Sequence, residues 1–181
     1  MIFRETPLKG AYIIEPEPYR DERGIFARLY CKEEFLAIGH DKEFVQSNLS
    51  VNHMKGTFRG LHYQRPPFAE IKLIRCSKGA VYDIIVDLRK GSSTFLHHFS
   101  VVLTGENMNM LYVPEGFAHG FLTLEDDSRM TYQHTAFYKP GFEAGLRHDD
   151  PALQVKLPEK PLIISDKDLD HPLITETFKG I

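Results

Sequence analysis

The sequence predicts an all-β domain, and three observations carry that expectation. Short apolar segments recur along the chain, each closed by a turn signal. Residues 80–88 alternate at the strand period of two, which places Tyr82, Ile84, Val86 and Leu88 on one face. Helical signals are confined to 32–38, where Gly39 supplies a stop, and to 167–170.

From the N-terminus, residues 1–30 carry Pro7, Pro16 and Pro18 and read as an extended arm. After the 32–38 helix, strands are expected over 70–76, 80–88, 95–103, 107–113, 117–124 and 129–136. The turns between them are Ser77-Lys78-Gly79, Lys90-Gly91-Ser92-Ser93, Thr104-Gly105 and Asp126-Asp127-Ser128. Residues 140–181 are again proline-rich and read as a second arm. Strands at this spacing predict an antiparallel sandwich or barrel. Arms of this kind pair with a second copy of the chain, so a homodimer is expected.

Composition bounds the class. At 181 residues the chain holds one full core and is too short for two ordinary domains, so residues 1–181 read as a single domain. Hydrophobic residues at 42% and charged residues at 26% exclude disordered and collagen-like chains. The net charge of −3 comes from 25 acids and 22 bases spread evenly, without the basic block that a nucleic-acid partner requires. No apolar run approaches the ~20 residues that span a membrane. The start, Met1-Ile2-Phe3-Arg4-Glu5, lacks the pattern of a secretory signal. Cys31 and Cys76 are too few for a disulfide framework and wrongly spaced for zinc. A cytoplasmic protein is expected.

Three segments carry candidate chemistry. Phe58-Arg59-Gly60-Leu61-His62-Tyr63-Gln64 sets His62 near a residue without a side chain; Glu70-Ile71-Lys72-Leu73 puts Glu70 and Lys72 on one strand face; Pro114-Glu115-Gly116-Phe117-Ala118-His119-Gly120 aims His119 inward after a turn. His40, His53, His97, His98, His134, His148 and His171 read as structural histidines. One reading is metal binding, because Pro-x-Gly-x-x-His resembles the second motif of the cupins. A cupin metal site takes His-x-His plus Glu from its first motif, and here that motif reads His62-Tyr63-Gln64. His62, Glu70 and His119 could still offer two nitrogens and a carboxylate, although Lys72 on the same face opposes a cation. The other reading uses no metal: a histidine removes a proton near neutral pH, and a lysine holds the charge that appears on a neighbouring oxygen. That pairing suits abstraction of a hydrogen α to a carbonyl. A carboxylate of Ser165-Asp166-Lys167-Asp168 could fix the histidine tautomer, and Tyr132 could return the proton.

Taken together, these segments resemble the dTDP-4-dehydrorhamnose 3,5-epimerase family of cupins. The resemblance runs through Asp21-Glu22-Arg23-Gly24-Ile25-Phe26, Gln46-Ser47-Asn48-Leu49-Ser50, Arg59-Gly60-Leu61-His62-Tyr63-Gln64 and Lys72-Leu73-Ile74. It continues through Val86-Asp87-Leu88-Arg89-Lys90-Gly91-Ser92, Pro114 to Leu122, Thr131-Tyr132, Tyr138-Lys139-Pro140, Glu143, Asp149-Asp150-Pro151 and Ser165 to Asp168. It implies a cupin-type antiparallel β-barrel (jelly roll) with extended arms and a few short helices, and a cofactor-free epimerase of a nucleotide-linked 4-keto-6-deoxyhexose. By the family's pattern His62 is the base, Asp168 orients it, Tyr132 is the acid and Lys72 stabilises the oxyanion. Arg23, Phe26, Gln46, Asn48, Arg59, His119, Glu143 and Lys167 fall on positions that hold the nucleotide, the diphosphate or the sugar. The chain departs from the pattern at Phe26-Ala27-Arg28, where the family carries Glu in place of Arg28. That leaves open a CDP- or GDP-linked substrate, as well as inversion at C3 or C5 alone. A metal-dependent oxygenase and a sugar-nucleotide binder without turnover remain as alternatives of other classes.

Overall fold

A computed structural model describes all 181 residues. In chain order the strands are β1 (Ile2–Glu5), β2 (Tyr12–Glu15), β3 (Tyr19–Asp21), β4 (Gly24–Phe26), β5 (Gln46–Asn52), β6 (Phe58–Gln64), β7 (Lys72–Lys78), β8 (Ala80–Asp87), β9 (His98–Thr104), β10 (Met110–Val113), β11 (Phe117–Thr123), β12 (Ser128–His134) and β13 (Glu143–Gly145). Two helices, α1 (Lys32–Phe35) and α2 (Asp166–Leu169), join them, and a 3-10 turn, Leu36–Ile38, continues α1. A six-stranded sheet runs β1-β2-β10-β7-β12-β5 and faces a five-stranded sheet, β13-β6-β11-β8-β9; β3 and β4 form a separate hairpin. All these pairings are antiparallel. This is the antiparallel jelly roll that the sequence predicts.

Alternation along the strands fills the space between the sheets. Ile74 and Cys76 of β7, Leu111 and Val113 of β10 and Met130 of β12 meet Val81 and Ile85 of β8 and Phe117 and Phe121 of β11. Tyr82, Ile84, Val86 and Leu88 point the other way, outward, and are covered by the C-terminal arm through Leu146, Leu153, Leu157, Ile164, Ile174 and Phe178. Strand β8 is therefore buried on both faces, as a central strand under a covering layer must be. On the outside of the six-stranded sheet, Phe35 of α1 seals a third cluster with Ile14, Leu73, Met110 and Tyr112. Gly39 ends that helical segment at φ +75°, a left-handed cap.

The structure moves several expected boundaries. Strand β9 starts at His98, not 95, because Thr94 and Ser92 turn back to hydrogen-bond Asp87 (2.7 and 2.6 Å) and Leu96 takes φ +62°. Strand β10 starts at Met110, not 107, since Asn107 closes a turn with Thr104 (2.9 Å). Strand β7 starts at Lys72, not 70, leaving the Glu70 side chain free to turn inward. The N-terminal arm is more regular than expected: β1 and β2 extend the six-stranded sheet. No helix is long and apolar enough to cross a membrane.

Candidate active site

Strand β6 brings His62 and Arg59 to the same cavity, although residues three apart on a regular strand face opposite ways. Against β11, His119 sits opposite His62 while Phe121 sits opposite Arg59, so Gly60 and Leu61 together face Gly120 alone. The extra residue is a bulge that re-aims the side chains beyond it. Glycine is required there: Gly60 has φ +119°, and a Cβ on it would lie 2.6 Å from the Gly120 Cα.

The cavity lies between the two sheets, about 590 Å³ with an adjoining second lobe of about 450 Å³. Each wall contributes its own chemistry. The five-stranded sheet supplies His62 and, beside it in register on β11, His119. The six-stranded sheet supplies Lys72, with His134 and then Gln46 as its cross-strand partners, and in the next row Tyr132 with Asn48. Glu143, Lys167, Asp168 and Tyr138 close the outer end.

Four expected catalytic residues converge. His62 Nε2 donates to Asp168 Oδ1 at 2.6 Å, a bond spanning 106 residues of chain. That bond fixes the proton on Nε2 and leaves Nδ1 as the basic atom. Asp168 is held in turn, accepting from the Gly60 amide (3.2 Å), while its own amide caps onto the Ser165 hydroxyl (3.2 Å). Burial would raise its pKa, but the His62 bond and charge, with the Gly60 and Ser165 contacts, keep it below the usual carboxylate value. The Lys72 ammonium donates to the His62 carbonyl at 3.2 Å and lies 3.4 Å from Glu70. Tyr132 packs its ring 6.0 Å from both His119 and His134, and burial together with the Asp83 charge raises its pKa. The phenol is therefore held protonated.

The expected substrate-holding residues divide. Gln46, Asn48, Arg59, Glu143 and Lys167 line the cavity. Arg59 is steadied by Asn52 (2.7 Å), and Glu143 by the Gly141 amide (2.7 Å) and the Tyr138 hydroxyl (3.1 Å). His119 lines the second lobe, but its Nε2 is committed to the fully buried Asp83 at 2.9 Å. Burial pushes the Asp83 pKa up and the His119 pKa down. Arg23 and Phe26 do not reach this cavity. They stand on the β3–β4 hairpin, 84% exposed at the Arg23 side chain and 78% at Phe26. Arg28, on the same exposed side, pairs with Glu34 at 2.8 Å.

The metal set does not assemble. His62, Glu70 and His119 each turn to a different partner: Asp168, Lys72 with His134, and Asp83. Three further polar residues stand at the site: Glu70, expected as a possible metal ligand, and His134 and His171, expected as structural histidines. Glu70 is buried against Lys72 and His134. His134 lines both lobes, and its spacing of two from Tyr132 was the available signal. His171, three residues after Asp168, packs its ring 6.1 Å from His62.

Known proteins share the sequence and the fold. The family model described as dTDP-4-dehydrorhamnose 3,5-epimerase matches residues 5–176. The chain is 41% identical over 167 residues to the dTDP-4-dehydrorhamnose 3,5-epimerase of Shigella flexneri, covering 92% of each. It superposes with a TM-score of 0.92 and 39% identity on the Bacillus anthracis dTDP-4-dehydrorhamnose 3,5-epimerase with TDP and PPi bound, covering 96% of this chain and 99% of that one. The Legionella pneumophila dTDP-6-deoxy-D-glucose-3,5-epimerase in complex with dTDP-4-keto-L-rhamnose gives 0.90 and 36%, with 95% and 92% covered. Sequence and fold place this chain in the dTDP-4-dehydrorhamnose 3,5-epimerase family.

Proposed function

We propose that the protein is a cofactor-independent epimerase that converts dTDP-4-dehydro-6-deoxy-D-glucose to dTDP-4-dehydro-L-rhamnose. The observation that carries this reading is the opposition of base and acid. His62 stands on the five-stranded sheet and Tyr132 on the six-stranded sheet, with the cavity between them. A sugar ring held there meets a proton acceptor on one face and a proton donor on the other, which is the arrangement that inverts a carbon. The C4 ketone acidifies the hydrogens on C3 and C5, so one site serves both centres. His62 Nδ1 takes the proton, and the Asp168 carboxylate stabilises the imidazolium that results. Lys72 meets the charge that develops on O4. Tyr132 then delivers a proton from the far wall.

Gln46, Asn48, Arg59, Glu143 and Lys167 provide donors and charge for the diphosphate and nucleotide at the outer end. Arg23 and Phe26 join a site only when a second copy presents its hairpin, and this supports a homodimer. The outer edge of β5 also has no partner strand, and Leu49 beside it is 61% exposed. Two unpaired cysteines suit a reducing, cytoplasmic setting.

The test is proton NMR of dTDP-4-keto-6-deoxyglucose with the protein in deuterated water, without added metal or cofactor. Loss of both H3 and H5 signals, with inverted product trapped by a 4-keto reductase, is the expected result. Exchange at one carbon identifies a single-centre epimerase instead. If neither hydrogen exchanges, but both do in the CDP-, GDP- or UDP-linked 4-keto sugar, the nucleotide is wrong and the chemistry stands. No exchange with any of them overturns the reading.

A further inference from the structure

The cavity contains a third histidine–carboxylate pair that the mechanism above leaves unused. Glu70 and His134 are buried side by side, 9% and 10% exposed at their side chains, with Glu70 Oε2 accepting from His134 Nδ1 at 3.0 Å. The other carboxylate oxygen, Oε1, lies 3.4 Å from the Lys72 ammonium. Gln64 adds a third donor at 3.3 Å. Burial would raise the Glu70 pKa, but His134 and Lys72 hold it below the usual value, so the carboxylate is charged.

Two consequences follow from the donor count. A buried ammonium needs a counter-charge and fixed acceptors. Lys72 has Glu70 on one side and the His62 carbonyl on the other, which leaves one N–H directed into the cavity. In addition, His134 gives its Nδ1 proton to Glu70, so its Nε2 is an acceptor. The Asn48 amide donates to that nitrogen at 3.4 Å, which turns Asn48 Oδ1 towards the Gln46 amide at 3.3 Å. Gln46 Oε1 in turn accepts from the Tyr138 backbone N–H at 3.0 Å. Donation therefore runs inward from the Tyr138 amide through Gln46, Asn48 and His134 to the Glu70 carboxylate, which Lys72 approaches from the other side.

We propose that Glu70 and His134 are positioning residues for the epimerisation, Glu70 aiming Lys72 at the developing oxyanion and His134 setting the hydrogen-bond direction of Asn48 and Gln46. This role rests on the function proposed above. It separates the two residues kinetically, because one acts through a group used in the transition state and the other through groups that hold substrate throughout.

The test compares Glu70→Gln and His134→Phe with wild type by H3/H5 exchange kinetics and by calorimetric titration with dTDP, whose stoichiometry counts folded sites. Glu70→Gln is expected to lower kcat by about 10- to 100-fold, short of the ~10²–10³ that deleting an oxyanion donor costs, with KM and the dTDP Kd unchanged. His134→Phe is expected to raise KM and the dTDP Kd together, by about tenfold, for loss of one orienting hydrogen bond, with kcat within about twofold of wild type. A merely structural role would reduce dTDP stoichiometry and kcat in step while leaving Kd alone, and that pattern overturns the proposal. So does Glu70→Gln with wild-type kcat, or His134→Phe with wild-type Kd. Wild-type protein that exchanges neither hydrogen in the dTDP-, CDP-, GDP- or UDP-linked 4-keto sugar refutes the epimerase reading itself, whatever the variants do.

Discussion

Replacing Asp168 with asparagine separates charge from shape behind the catalytic histidine. The carboxylate has two obligations: Oδ1 accepts from His62 Nε2 at 2.6 Å and Oδ2 accepts from the Gly60 amide at 3.2 Å. An amide can meet only one of them. With its oxygen on Gly60, the NH₂ faces His62 Nε2 and forces the proton to Nδ1, which removes the base. With its oxygen on His62, the NH₂ opposes the Gly60 N–H, and the imidazolium loses its counter-charge. The same exchange behind a catalytic histidine costs about 10⁴ in kcat in serine proteases, and general-base catalysis as a whole is worth ~10²–10⁴. We therefore expect Asp168→Asn to slow H3 and H5 exchange by about 10²–10⁴, or about 3–5 kcal/mol of barrier. The assay is solvent-deuterium exchange by NMR at saturating substrate, with circular dichroism and dTDP binding as controls for folding. Exchange within about tenfold of wild type, below the range for general-base catalysis, would refute the claim that His62 depends on this carboxylate.

Tyr132→Phe is expected to keep exchanging substrate hydrogen with deuterated water while forming little inverted product, because the phenol acts after the proton has left; exchange lost as completely as in His62→Ala would remove Tyr132 from that role. Stability should fall as pH drops below about 6.5. His40 is buried against Phe44 and Tyr112 and its pKa is lowered by burial, so the unfolded chain binds that proton more readily, and the stability it contributes is present above the unfolded pKa and lost below it. Urea midpoints at pH 7 and pH 5 measure this. His40→Phe should flatten the slope without abolishing it, since burial also lowers His119, His148 and His171; an unchanged slope would clear His40. Gly60→Ala should cost about 1–3 kcal/mol from crowding against the Gly120 backbone and a further ~1–2 from its positive φ, read from the same urea midpoints, and wild-type stability would mean that the bulge relaxes freely.

How much of this the sequence shows depends on the range of the interaction. Strand β8 is legible because its pattern is local and strongly apolar, whereas β5, reading Gln-Ser-Asn-Leu-Ser-Val-Asn, has one wholly polar face and only Leu49 and Val51 apolar on the other, too few for such a signal. The first short helix was legible from its stop, Gly39, whereas the Ser165 cap of the second emerges only in the structure. His62, Lys72 and His119 could be singled out by residue type and neighbours. Their convergence with Asp168 and Tyr132 is set by register and by a bulge, and neither is written in spacing. The resemblance supplied those partners residue by residue. It said nothing of Glu70 with His134, which becomes visible only once β7 and β12 are paired so that Lys72 faces His134. Arg23 and Phe26 mark the opposite limit: their expected place is not reached within one chain at all.

The C-terminal arm has a further consequence. It lies over the outside of the five-stranded sheet, tied on by a bridge between Thr57 and Ile163 and by Leu162 against Gly56, and it carries both Asp168 and Lys167. The barrel can therefore keep its core while the arm lifts, and every such opening takes the carboxylate away from His62. Peripheral segments of this kind open at lower free energy than central strands. On warming, turnover should fade before the strands melt, and amides of 162–170 should exchange with solvent sooner than those of β8. Substitutions at Ile163 or Ile164 that weaken the docking would then behave as temperature-sensitive lesions of catalysis, silent in the cold and severe in the heat.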